Sequence, residues 1–432
     1  METPAPIQAT APYPKATVQA QYALAFLFVL YALNYVDRQL LSILMEPIRK
    51  DLHLSDTQLG FLSGLAFAIF YATLGIPIAR LADRYSRRNI VTLAVIIWSI
   101  MTAFSGMAQS FVALLAARIG VGVGEAGASP PAHAMISDYF PPHRRASALA
   151  VYSCGIPVGI LVGLAGGGWV NEAFGWRTAF FVIGIPGVVL ALLYLVTVRE
   201  PVRGAQDGGV AAQPVPSIAA AFRHLWGLKT FRYLTIASAL HALTAYGVLQ
   251  WNPSYIIRSF GLGTREVGLH VGLIIGIAGV VGTLVGGFAS DWLGKRDYRW
   301  YLWFPALFTA LAIPFYFATF LAGSAAHALL FFTMPALVGS LFTGPAFAMV
   351  QALAPTRMRA MAASIYLFIL NIVGLGLGPL TVGIASDLLH PALGAASLRW
   401  SLCGVSVFEF AAVYFFMLAA KTAKAETTAA KR

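Results

Sequence analysis

The chain has 432 residues, 59% hydrophobic and 11% charged, with a mean hydropathy of +0.75 and a formal net charge of +12. Soluble domains carry about 25% charged residues, and the fraction of surface a fold buries rises only slowly with its size. This composition therefore excludes a soluble protein and makes lipid the solvent.

Residues 1–19 are mostly Ala, Pro, Thr and Gln. They lack the basic region and short apolar run of a cleavable signal peptide, so the first apolar segment is expected to be an uncleaved anchor. A bilayer core of about 30 Å takes about 20 apolar residues per helix. Twelve segments qualify: 20–45, 57–79, 90–108, 111–136, 147–170, 177–198, 231–256, 267–289, 299–321, 326–353, 361–386 and 397–419. None shows the ~10-residue polar and apolar alternation of a barrel strand. The expected class is an all-α membrane protein with twelve transmembrane helices in two six-helix halves. Residues 1–198 form the first bundle, 199–230 a linker rich in Pro, Gly and Gln, and 231–432 the second bundle with a short tail.

Placing the N-terminus in the cytoplasm puts 21 of the 29 Lys and Arg on the inner side, six outside, and Arg38 and Arg118 within segments. That bias predicts a multi-pass cell-membrane protein with both termini cytoplasmic. It also accounts for the net charge, so no nucleic-acid partner is expected. Cys154 and Cys403 lie in apolar runs, which argues against a disulfide framework or a thiolate metal site. No phosphate loop, HExxH or GxSxG is present, so neither an enzyme, a cofactor nor a metal is expected.

The halves repeat. After the second segment the chain reads Asp83-Arg84-Tyr85-Ser86-Arg87-Arg88, and after the eighth Asp291-Trp292-Leu293-Gly294-Lys295-Arg296, at an offset of 208. "PPHRRASALAVY" (141–152) and "PTRMRAMAASIY" (355–366) match at an offset of 214. Two matches in equivalent loops argue for a duplicated six-helix unit, as in many secondary transporters. Asp83, Arg87 and Arg88, with Asp138 and Arg145 near them in the topology, are expected to form a cytoplasmic latch. Asp291, Lys295 and Arg296 repeat the pattern. Glycines crowd segments 8 and 11 (Gly272, Gly276, Gly279, Gly282, Gly286 and Gly287; Gly374, Gly376, Gly378 and Gly383), which makes those helices candidate gates.

A charge at mid-bilayer costs at least ~2.5–3.5 kcal/mol, so such residues face a cavity or a partner. Asp37 and Arg38 lie in segment 1, and Arg118 and Glu125 in segment 4. The helical rise puts Asp37 about 25 Å, Arg118 about 27 Å and Glu125 about 16 Å from the cytoplasmic edge. Arg118 is therefore the first candidate partner of Asp37. Asp37 or Glu125 is the expected proton site, with Arg38 or Arg118 as its partner or as an anion clamp. A purely structural ion pair is the alternative. Tyr31, Asn34 and Arg38 share one helical face and are candidate substrate contacts. His241, Thr244, Tyr246, Gln250 and Asn252 in segment 7 and Asn371 in segment 11 are their counterparts. The second half is expected to hold no comparable intramembrane acid, leaving an apolar, aromatic wall.

Over essentially its whole length the chain resembles the major facilitator superfamily. The two Asp-to-Arg loops, "RIGVGVGEAG" (118–127) and "GIPVGILVG" (155–163) carry the likeness. Within it, Asn34-Tyr35-x-Asp37-Arg38, Asp83-Arg84-Tyr85-x-Arg87, Arg118 with Val121-Gly122-Val123-Gly124-Glu125-Ala126, and Ile156-Pro157-Val158-Gly159 resemble the spinster family. The resemblance implies alternating access and an amphipathic lipid substrate such as a lysophospholipid or sphingosine 1-phosphate, in some relatives coupled to protons. An organic-anion/proton symporter or a drug efflux carrier is the alternative. The expected partners are that substrate, protons and membrane lipids, with the chain working as a monomer.

Overall fold

The structure is a computed structural model that describes residues 18–203, 217–355 and 358–429. Lys15, Arg357, Lys431 and Arg432, used in the topology reading, and linker residues 204–216 lie outside the described residues.

Every regular element among the described residues is helical. Lipid offers no hydrogen bonds to the backbone, so each spanning segment must satisfy its own. Among the described residues the chain makes twelve passes. Spans 1 to 6 are Val18–Leu52; Asp56–Ser63 with Leu65–Arg84; Arg87–Ser105; Phe111–Glu125 with Ser129–Tyr139; Pro142–Ser153 with Gly155–Phe174; and Trp176–Thr197. Spans 7 to 10 are Lys229–Phe260; Thr264–Gly294; Trp300–Leu321; and Ala325–Leu341 with Thr343–Leu353. Span 11 joins Arg359–Leu370 to Gly378–Leu393 through a π-helical turn at Asn371–Leu377, and span 12 runs through Ser397–Ser406 and Phe408–Ala429. By length and hydropathy ten stretches among the described residues qualify as membrane-spanning, with 11 and 12 read as one run. Span 7 falls short because it carries His241, Thr244, Gln250 and Asn252. The linker is not all loop. Ile218–Gly227 forms a helix capped by Ser217, whose hydroxyl accepts from Ala220 N, and it buries Ala221 and Leu225.

With an even number of passes in each half, residues 18, 197, 229 and 426 share one face. The Tyr22 hydroxyl donates to Thr197 Oγ1 at 2.8 Å, and Glu426 accepts from Lys229 N and Thr230 N. We call this the terminal face and the other the distal face. The apolar core differs between them. Toward the distal face one cluster joins residues of both halves, among them Leu41, Ile48 and Phe180 with Trp251, Tyr255 and Phe320. Toward the terminal face the core divides. Leu27, Trp98 and Tyr152 belong to one cluster, and Phe231, Met349 and Phe416 to another.

Backbone contacts knit the distal side. A Cβ on Gly168 would meet Thr264 O at 2.2 Å, and one on Gly268 would meet Leu164 O at 2.1 Å, so spans 5 and 8 touch where only glycine fits. Span 2 breaks at Gly64, beside the π-helical turn of span 11, where a Cβ would come within 2.4 Å of Gly376 O. The glycines of span 8 divide their task. Gly272 packs on Leu161 of span 5, whereas Gly282 and Gly286 pack on Leu337 and Leu341 of span 10.

Candidate functional site

Span 1 carries Asp37 and Arg38 into the first bundle, where each finds its opposite on span 4. Arg118 Nη1 lies 3.4 Å from Asp37 Oδ2, and both side chains are almost fully buried. The Thr102 hydroxyl of span 3 donates to Asp37 Oδ1 at 2.7 Å. One step along the helix, Arg38 Nε donates to Glu125 Oε2 at 2.7 Å. Neighbouring residues on a helix point about 100° apart, which is why two adjacent charges reach two partners a helical double turn apart, a donor and an acceptor. Gly122 and Gly124 let spans 2 and 3 close on span 4 around these pairs, since a Cβ on either would press into the backbone of Phe67 or Trp98.

The two pairs differ in access. Arg38 keeps 12% of its side chain exposed, while Glu125 has none. The Arg38 guanidinium is ringed by Tyr35, Phe67 and Tyr71 at 5.0, 4.8 and 4.6 Å, the distances of cation–π attraction. Glu125 Oε1 and Arg118 Nε are buried without a hydrogen-bond partner, so the network holds unused capacity. Tyr31 stacks on Tyr152 with centroids 4.2 Å apart. Asn34 is buried beside Tyr31 and Trp98, lining a cavity of about 10 Å³, close to the least that holds a water.

The expectation that the second half holds no intramembrane acid is wrong. Glu409, at the start of the second helix of span 12, is fully buried and lies 2.9 Å from His241 Nδ1. Thr244 donates to Val405 O at 3.1 Å, fixing span 7 against span 12 just beside that pair. His241 is thus turned into the bundle, with its ring edge-on to Phe342. Tyr246 is half-buried and packs with apolar residues of both terminal clusters, next to Gly374. Asn371 is half-buried and opens the π-helical turn. The sequence signal for Glu409 was available: it is an acid inside an aromatic-rich apolar segment.

The expected latch residues cluster unequally. Arg87 and Asp138 form an ion pair between spans 3 and 4. Arg145 Nε donates to Ser137 O and Phe140 O, tying the end of span 4 to the start of span 5. Arg88 donates to Val198 O at 3.4 Å. The acid at the hub was not anticipated. Glu200 accepts from Ser86 Oγ and from the backbone N–H groups of Arg87 and Arg88, capping span 3. Asp83 is exposed, and its backbone carbonyl accepts from Arg203. In the second copy, Asp291 accepts from the Tyr301 hydroxyl at 2.7 Å, the Arg296 guanidinium lies 4.7 Å from the Trp292 ring, and Lys295 is exposed.

A distal seal also escaped sequence reasoning. Arg258 of span 7 reaches Glu46 of span 1 at 2.6 Å and Asp56 of span 2 in a two-pronged pair at 2.7 Å. The Asp56 carboxylate also accepts from Ser386 Oγ, and Asp387 accepts from Asp56 N and Thr57 N. Asn171 bonds Thr264 at 2.9 Å between spans 5 and 8. These acids stand at segment ends, where sequence alone reads them as loop.

Residues 27–379 match the Major Facilitator Superfamily. The chain is 36% identical to an "MFS-type efflux pump" of Mycolicibacterium smegmatis over 89% of its own length and 88% of that protein. It is 31% identical to the "Hexuronate transporter" of Bacillus subtilis over 63% of its length and 65% of that protein. A crystal structure of a bacterial homologue of the human lysosomal transporter Spinster, in an inward-facing and unoccupied conformation, superposes with a TM-score of 0.84 at 31% identity, covering 95% of this chain and 98% of that one.

Proposed function

The chain belongs to the major facilitator superfamily, and from that premise we propose that it is a proton-coupled carrier of amphipathic anionic or zwitterionic lipids, of which lysophospholipids are the leading class. The transporter and the spinster-like fold follow from the comparisons; the substrate and the coupling are our reading. The observation that carries it is the contrast between the two first-half ion pairs. Asp37–Arg118 is sealed, whereas Arg38 is the partly exposed cation, held by one carboxylate and an aromatic cage. A proton arriving at Glu125 removes that carboxylate's charge and frees the Arg38 guanidinium for an anionic head group. Proton and substrate then bind together. The aromatic rings and the apolar residues of span 11 suit an acyl chain.

The Lys and Arg bias supports the cell membrane and a cytoplasmic terminal face. Alternating access then exchanges the distal seal, made by Arg258, Glu46 and Asp56, for closure at the terminal face. The shared distal core and divided terminal core support a terminal-open arrangement.

A second reading, an organic-anion symporter, draws on the likeness to the hexuronate transporter, since an arginine clamp serves a carboxylate equally well. Purified protein in vesicles decides. With an imposed pH gradient, uptake of lysophosphatidylglycerol is expected, and Glu125→Gln or Asp37→Asn is expected to abolish gradient-driven accumulation. Uptake of glucuronate without lysolipid favours the second reading. Proton-driven uptake that survives both substitutions overturns the coupling.

A further inference from the structure

The geometry points to a second proton-binding site in the other half of the molecule, formed by His241 of span 7 and Glu409 of span 12. Both side chains are fully buried, and His241 Nδ1 lies 2.9 Å from Glu409 Oε2. Neither has another charged partner among the described residues. Their outward atoms, His241 Nε2 and Glu409 Oε1, are buried and make no hydrogen bond. One turn earlier on span 7, Ser238 lies within hydrogen-bond reach of Tyr366 of span 11, and both hydroxyls are buried. An arrangement that leaves an imidazole nitrogen and a carboxylate oxygen buried and unpaired is poorly explained as a helix-to-helix staple, because burying such atoms unpaired costs free energy.

The protonation states settle what the pair holds. One shared proton gives either an imidazolium with a carboxylate or a neutral imidazole with a carboxylic acid, and both are neutral overall. Losing it leaves −1 and gaining a second leaves +1, each costly in a dry interior. The pair therefore holds one proton while it stays dry and exchanges it only when its vacant atoms meet water. The surroundings leave this undisturbed. Span 10 contributes the Phe342 ring, span 7 itself the Thr244 hydroxyl within hydrogen-bond reach of Glu409, span 11 Tyr366 beside Ser238, and span 9 the Tyr316 hydroxyl within electrostatic reach of Glu409. The helical rise puts His241 about 18 Å from the terminal-face end of span 7. Glu125 lies about 21 Å from the corresponding end of span 4 by the same measure. His241 and Glu125 thus lie at similar distances from the terminal-face ends of their spans.

This inference does not depend on the substrate or on the first-half coupling. The test is a pH titration of carboxyl groups by infrared difference spectroscopy on the whole protein in lipid vesicles, without substrate. The Asp37→Asn/Glu125→Gln double variant is expected to retain a titrating carboxyl signal that disappears in Glu409→Gln. His241→Gln is expected to move its midpoint by about one pH unit, the scale on which a partner acts. If the Glu409→Gln spectrum matches the wild type, the site is refuted. Should Glu409→Gln not fold, His241→Gln in the double-variant background decides: an unmoved midpoint refutes it, and a moved one supports it.

Discussion

At mid-span the first half buries Asp37 and Glu125 against arginines, and the second buries Glu409 against a histidine. Arginine keeps its charge at any accessible pH, so each first-half acid faces a permanent cation, and only the acid can change state. Histidine gives up its proton readily, so the second-half pair can stay neutral by moving one proton between its partners. The same burial therefore has two consequences. In the first half, loss of a partner strands a charge; in the second, it leaves only an unfilled hydrogen bond.

That contrast is open to direct attack, and the largest effect is expected at Arg118. Arg118→Leu strands Asp37 in the bundle, and breaking such a buried pair costs about 3–5 kcal/mol. The melting temperature of the purified protein should fall steeply, and adding Asp37→Asn should recover most of the loss. A smaller drop is expected for Glu409→Gln, about 1–3 kcal/mol, since the amide keeps a polar atom beside a histidine that turns neutral. If the two variants lose equal stability, the distinction between fixed and mobile protons fails. The least effect belongs to a surface pair. Hydrogen bonds from Arg299 hold the Asp297 carboxyl below its ordinary range. Its contribution is present above the unfolded value and lost as pH falls through the folded one. Solvent screens it, so Asp297→Asn should leave the melting curve at neutral pH unchanged. A measurable shift there would mean that exposed ion pairs matter here as much as buried ones.

Most of the fold was legible in the chain. Lipid imposes a length and a composition on each pass, and those are linear properties. Span 7 shows the boundary of that logic, because its polar residues weaken the apolar signal although the helix still crosses. The Asp37–Arg118 level was legible for a similar reason, since helical rise converts residue number into depth. Azimuth is not legible that way, and pairing Arg38 with Glu125 rather than with the substrate space needed the packing of spans 1 and 4. Glu46, Asp56, Asp387 and Glu200 escaped because acids at segment ends look like loop residues, and their partners lie far away in sequence. Arg258 and Glu46 are 212 residues apart. Glu409 is a different case, the one acid in segment 12, and its partner lies 168 residues away. Its mate, His241, was itself read as a substrate contact.

The unequal division of the apolar core has a thermal consequence. Under the alternating access proposed above, passing between open states splits the shared distal cluster and joins the two terminal ones. The surfaces exchanged are large and need not be equal in area. Hydration of apolar surface carries a large heat capacity, so a difference in exposed area bends the balance between the states as temperature changes. The favoured orientation of this carrier is therefore a property of temperature as well as of its ligands, and one measured in the cold need not be the one that prevails at growth temperature.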